Sequence, residues 1–131
     1  MALTQQTRTQ ARESLAQDEE SARRLPELLR AVAGAEEALA GAREREASAA
    51  ELRACGLALD RALTEAMRAA YARERVLVGA RGYRDAIYRR KRLARPEVRE
   101  ATRVAERLLT AREEHRLHGV QRVPRRVAGA V

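Results

Sequence analysis

From Leu25 to Leu77 apolar residues recur at alternating steps of three and four, through Leu28, Val32, Ala35, Leu39, Ala42, Ala49, Leu63, Met67 and Ala70. Of the sixteen positions on this path eleven are apolar, which is helical spacing and not the strict alternation of a strand. The weaker middle, at Glu46, Arg53, Gly56 and Asp60, is partly filled by Leu52, Cys55 and Leu59 one position away. Such a drift fits a nearly straight helix. The spacing predicts one long helix over about 26–78, or two helices meeting near Gly56.

What such a helix can pack against is limited by the supply of large side chains. The chain has 131 residues, with 15 Leu, 9 Val, 1 Ile and 3 Tyr, no Phe or Trp, and 28 Ala. Ala, Glu, Lys, Leu and Arg together make up 86 of the 131 residues, a proportion typical of long helices and coiled coils. Narrow helix–helix seams are expected in place of a thick core. The reading is all-α, and neither a deep aromatic-lined pocket nor a small-molecule substrate is expected.

Breakers are few, and their positions suggest a hairpin. Gly79 and Gly82, in Gly79-Ala80-Arg81-Gly82, lie between two helical patterns and mark a turn over 79–82. Beyond it, Tyr83 and Ile87 sit four apart, and Val98, Ala101, Ala105, Leu108 and Leu109 form a broad apolar face. Pro96 followed by Glu97 and Glu100 has the form of a helix start, and Gly119 that of a stop. Return helices are thus expected over about 83–94 and 96–118, antiparallel to residues 43–78, as a coiled-coil-like helical hairpin. The organisation is then an N-terminal helical segment 1–25, a hairpin 26–118 and a basic tail 119–131 without periodicity.

This hairpin leaves Leu25, Leu28, Leu29, Val32 and Leu39 with nothing in the chain to cover them. An unpaired Leu stripe predicts self-association or docking on a partner helix. In a second arrangement residues 8–24 fold back at Pro26 and cover the stripe through Leu15 and Ala22.

Charge is unevenly placed. Residues 1–66 carry a net −3 and residues 67–131 a net +11, out of a total of +8. The basic half contains Arg81, Arg84, Arg89, Arg90, Lys91, Arg92, Arg95, Arg99, Arg103 and Arg107, with Arg122, Arg125 and Arg126 in the tail. On one continuous helix Arg92, Arg95, Arg99, Arg103 and Arg107 advance by three and then by fours, a ridge of about 23 Å that can follow several phosphates. Tyr83 and Tyr88 flank the run and could stack on bases, although two tyrosines are too few to argue single-strand recognition. Glu100 and Glu106 interrupt and partly neutralise the ridge, and contact with an acidic protein surface is expected ahead of nucleic acid.

Catalytic arrangements are nearly absent. There is no Gly-rich phosphate loop, no Cys-x-x-Cys and no nucleophile elbow, and the lone Cys55 has no His or acid spaced to activate it. Glu114, His115 and His118 have the spacing for a metal on one helix face, but Arg112 and Arg116 crowd them with positive charge. No enzyme, cofactor or metal is expected. No uncharged run approaches the ~20 residues of a membrane span, so a cytoplasmic location, or a particle assembled there, is expected. In outline, an Arg- and Ala-rich antiparallel hairpin resembles the coiled-coil stalk proteins of bacterial flagellar and injectisome export, and the small helical components of phage particles. That resemblance is one of composition and architecture and carries over no residue. The expected function is a non-catalytic helical adaptor or structural subunit of a larger prokaryotic or phage assembly. The alternative is a nonspecific nucleic-acid-binding protein that uses the Arg-rich return helix.

Overall fold

The computed structural model describes residues 2–119, and every element in that span is helical. Helix α1 (Ala2–Arg23) and helix α2 (Leu25–Glu44) follow one another with a break at Arg24. Pro26 is the cause, because it has no N–H to offer the carbonyl of Ala22. The chain re-enters the helix when the Leu28 N–H donates to the Arg24 carbonyl at 2.9 Å. A tight turn leads to α3 (Ala49–Val78), and a 3-10 turn (Ala80–Tyr83) leads to the short α4 (Ala86–Arg92). Helix α5 (Pro96–Glu114) ends in a π-helical turn (His115–Gly119).

Helix α3 is the central strut, and α1, α2 and α5 each pack chiefly on it. The arm formed by α2 and then α1 runs antiparallel to α3. Leu28 lies beside Glu65 and Ala69, and further along Asp18 reaches Arg75. Helix α5 also runs antiparallel to α3, pinned by Thr102 to Glu74, Arg112 to Thr64 and Arg116 to Asp60. Leu25, Leu28, Val32 and Leu39 of α2 meet Leu59, Leu63, Ala66, Ala69 and Ala70 of α3, and Ala105 and Leu108 of α5, in one core. Ala66 and Ala105 have no exposed surface. Small residues at these positions let the helices approach closely, so a core poor in large side chains is still filled.

The all-α, hairpin-like class predicted from the sequence is what the structure shows. The turn at 79–82 is also present. Gly79 adopts φ +100°, a conformation open chiefly to glycine, and a methyl group at Gly82 would lie 2.4 Å from Val78 Cγ1. Two expectations need correction. The long helix over 26–78 is two helices, and the join is at 45–48 and not at Gly56. There the Ala47 N–H donates to the Ala42 carbonyl at 2.9 Å and the Glu46 N–H to the Arg43 carbonyl at 3.1 Å. This is a Schellman closure with Glu46, at φ 51°, in the place glycine usually takes. Ser48 then caps α3 by accepting from the Glu51 N–H at 3.2 Å. The second correction concerns α1. It does not fold back over the Leu stripe but continues past α2 along α3, with Ala11, Leu15, Asp18 and Ala22 forming its seam.

Candidate anion-binding surface

The proposed partner-helix stripe is occupied from within. Leu25, Leu28, Val32 and Leu39 are buried at 8% exposure or less against α3 and α5, and only Leu29 of that set is exposed. The expectation that they lack an intrachain partner fails because the 45–48 turn folds α2 back onto α3. The large apolar side chains left exposed among the described residues are Leu29, Leu57, Ile87 and Leu117, one each on α2, α3, α4 and the π-helical turn.

The basic residues divide into two groups. Arg81 and Arg92 shape the end of the bundle. Both guanidinium groups lie over the Tyr88 ring, at 4.7 and 5.7 Å from its centre, and Arg81 also pairs with Asp85 at 3.1 Å. Arg92 is half-buried, with its Nε enclosed and unpaired. Asp85 in turn caps α4 by accepting from the Tyr88 N–H at 3.0 Å. Arg84, Arg89, Arg90, Lys91 and Arg95 are instead exposed, and no carboxylate among the described residues pairs with them. From Arg81 to Arg95 there are seven cations and one acid, Asp85.

The ridge expected from Arg92 to Arg107 is not continuous. The helix is interrupted between α4 and α5, with Arg95 extended at ψ 140° ahead of Pro96. Arg99, Arg103 and Arg107 remain in line on α5, where Arg103 pairs with Glu100 at 3.3 Å. Arg122, Arg125 and Arg126 lie outside the described residues.

Two tyrosines placed to stack on bases have other roles. Tyr88 carries the two arginines. The Tyr83 hydroxyl donates to Asp18 of α1, which also accepts from Arg75 Nε at 2.8 Å and from a terminal guanidinium nitrogen of Arg75 at 3.1 Å. This joint fastens α1 to α3 and to the 3-10 turn. Burial pulls the Asp18 pKa upward, but the hydrogen bonds from Arg75 and Tyr83 outweigh it and hold the carboxyl below its usual range. Burial, together with the bond to Asp18, pushes the Tyr83 phenol well above its ordinary value. The sequence reading missed this joint, and with it the fact that α1 brings Arg8 and Arg12 beside Arg84. The signal available was the interruption of α1's thin seam by an acid at Asp18.

Glu114, His115 and His118 are not brought together as ligands. His115 is buried and its Nε2–H donates to the Gly56 carbonyl at 2.6 Å, whereas Glu114 and His118 are exposed. Among the described residues no group of three His, Cys, Asp or Glu side chains is arranged to hold a metal ion. None of the helices there is long and apolar enough to cross a membrane. In comparisons with known proteins, the chain matches no family model, and no curated protein or solved structure shows significant similarity to it.

Proposed function

We propose that this chain is a non-catalytic binding module whose basic end holds the phosphate backbone of a nucleic acid without reading its sequence. The observation that carries this reading is the set of exposed cations at Arg84, Arg89, Arg90, Lys91 and Arg95, unpaired among the described residues and gathered where α4 and the 3-10 turn close the bundle. Backbone phosphates ask for charge and N–H donors rather than apolar surface, and each one neutralised releases condensed counterions. Sequence readout in the major groove needs an element long enough to lie there, and α4 has only seven residues. A module of this kind works where nucleic acid is, in the cytoplasm or in a particle assembled there.

The adaptor reading loses its leading interface, since the Leu stripe is covered. A stable protein contact is centred on desolvated apolar or aromatic anchors. One observation still favours an acidic protein partner: Ile87, 71% exposed, stands on α4 among Arg84, Arg90 and Lys91. This is the second reading.

The two separate by substitution. Replacing Arg89, Arg90 and Lys91 together with Gln removes charge from exposed positions. By fluorescence anisotropy it should weaken binding to a labelled duplex and to an unrelated single strand by similar factors, and lower the duplex salt slope by about 2.7. Unchanged affinities for both would overturn the nucleic-acid reading.

A further inference from the structure

A cleft of about 310 Å³ opens between α1 and the 3-10 turn, lined by Arg8, Ala11, Arg12, Ala80 and Arg84. Arg8 and Arg12 are four apart and share one face of α1. Arg84 reaches the same cleft from 72 residues further along the chain. No carboxylate lines the cleft, and none of the three arginines is ion-paired among the described residues. The nearest acid of the turn, Asp85, is already engaged by Arg81 and the Tyr88 N–H. The floor is made by two alanines, Ala11 at 6% exposure and Ala80, so there is room above it.

Three arginines lining one cleft with no carboxylate among its lining residues leave it strongly positive. Among the described residues no carboxylate pairs with these arginines, although α1 is fixed in place by the Asp18 joint to Arg75 and Tyr83. An external anion with several oxygens would balance that charge, because each guanidinium presents five N–H donors in a planar fork suited to phosphate.

We propose that Arg8, Arg12 and Arg84 form a seat for a phosphate group, which shares Arg84 with the basic set described above and does not use Arg89, Arg90 or Lys91. Where it takes a backbone phosphate, the inference rests on the nucleic-acid reading above, and α1 and α4 then grip the same strand. The same chemistry would take a small free polyphosphate, and the test distinguishes the two sources.

The full chain is compared with an Arg8→Gln, Arg12→Gln variant whose helicity is first checked by circular dichroism. One arm measures duplex affinity across a salt series, where the variant should bind several-fold more weakly with a slope smaller by about 1. The other measures the rise in Tm on adding inorganic pyrophosphate, which the full chain should show and the variant should lose. The Arg89, Arg90, Lys91 variant should keep that rise, because the seat does not use those residues. A full chain that ignores duplex but responds to pyrophosphate through Arg8 and Arg12 would sink the nucleic-acid reading and leave the seat standing. If the Arg8, Arg12 variant keeps both the full duplex slope and any pyrophosphate response, or if neither ligand acts on the full chain, the seat is overturned.

Discussion

Glu46 holds a left-handed backbone, φ 51°, at the one point where the chain reverses between α2 and α3. A residue with a Cβ loses about 1–2 kcal/mol there, partly offset when glycine replaces it by the greater freedom glycine has in the unfolded chain. Glu46→Gly should therefore stabilise the protein by about 0.5–1 kcal/mol and raise Tm by a few degrees in a thermal melt. An equal or lower Tm would mean that the reversal is not closed as described. Gly82 is the opposite case. Its missing Cβ is what keeps 2.4 Å from being a clash with the stiff Val78 side chain, so Gly82→Ala should destabilise by about 1–3 kcal/mol in urea unfolding. At Asp18 the prediction is one of pH. Its folded pKa is lowered by Arg75 and Tyr83, so its contribution is full above the unfolded carboxylate value of about 4 and disappears as pH falls through the lower folded value. Asp18→Asn should cost about 1–2 kcal/mol at pH 7, and the gap to the parent protein should close toward pH 2. A gap that stays constant across this range would show that the carboxylate charge plays no part.

At the scale of elements, what the sequence reveals depends on whether a break leaves a mark on periodicity. Pro96 with Glu97 and Gly79 with Gly82 leave clear marks, and α5 and the turn before α4 lie where the spacing puts them. The reversal at 45–48 leaves almost none. From Ala42 to Ala49 is seven residues, close to two turns at 3.6 residues each, so the apolar stripe passes through the turn nearly in phase. The closing residue is Glu46 in place of the glycine or asparagine that usually announces such a stop. A signal was present on the far side: Ser48-Ala49-Ala50-Glu51 has the serine and glutamate spacing of a capping box, and Ser48 does cap α3. Reading that start would have split the helix and supplied the Leu stripe with its partner. The consequence can be measured. With the stripe inside, Leu28→Asp with Val32→Asp places two charges in the core, at a cost comparable to the 5–15 kcal/mol that holds a domain together. Circular dichroism should show most of the helical signal lost at 25 °C. Retained helicity with a smaller mass in light scattering would instead mean that the stripe faces another chain.

Across the whole molecule the charge asymmetry was legible, and its location only in part. The arginine-rich stretch from Arg81 to Arg95 could be read directly, and it forms the exposed basic end of the bundle. The division of labour within it could not be read, because it depends on which side chains meet Tyr88 and Asp85 across a turn. Nor could Arg8 and Arg12, which belong to the acidic half of the sequence and reach the basic end only because α1 continues the line of α2 past the C-terminal end of α3. Net charge counted along the chain therefore understates how strongly one end of the folded molecule is polarised. The central claim is that this end binds phosphate backbones through charge alone. It is tested most directly by the affinity of the full chain for a labelled duplex between 50 and 200 mM salt. Neutralising about six phosphates predicts a loss of about 10³-fold over that range, the same for unrelated duplex sequences. Binding that is absent at 50 mM, or that is tight but insensitive to salt, would contradict it.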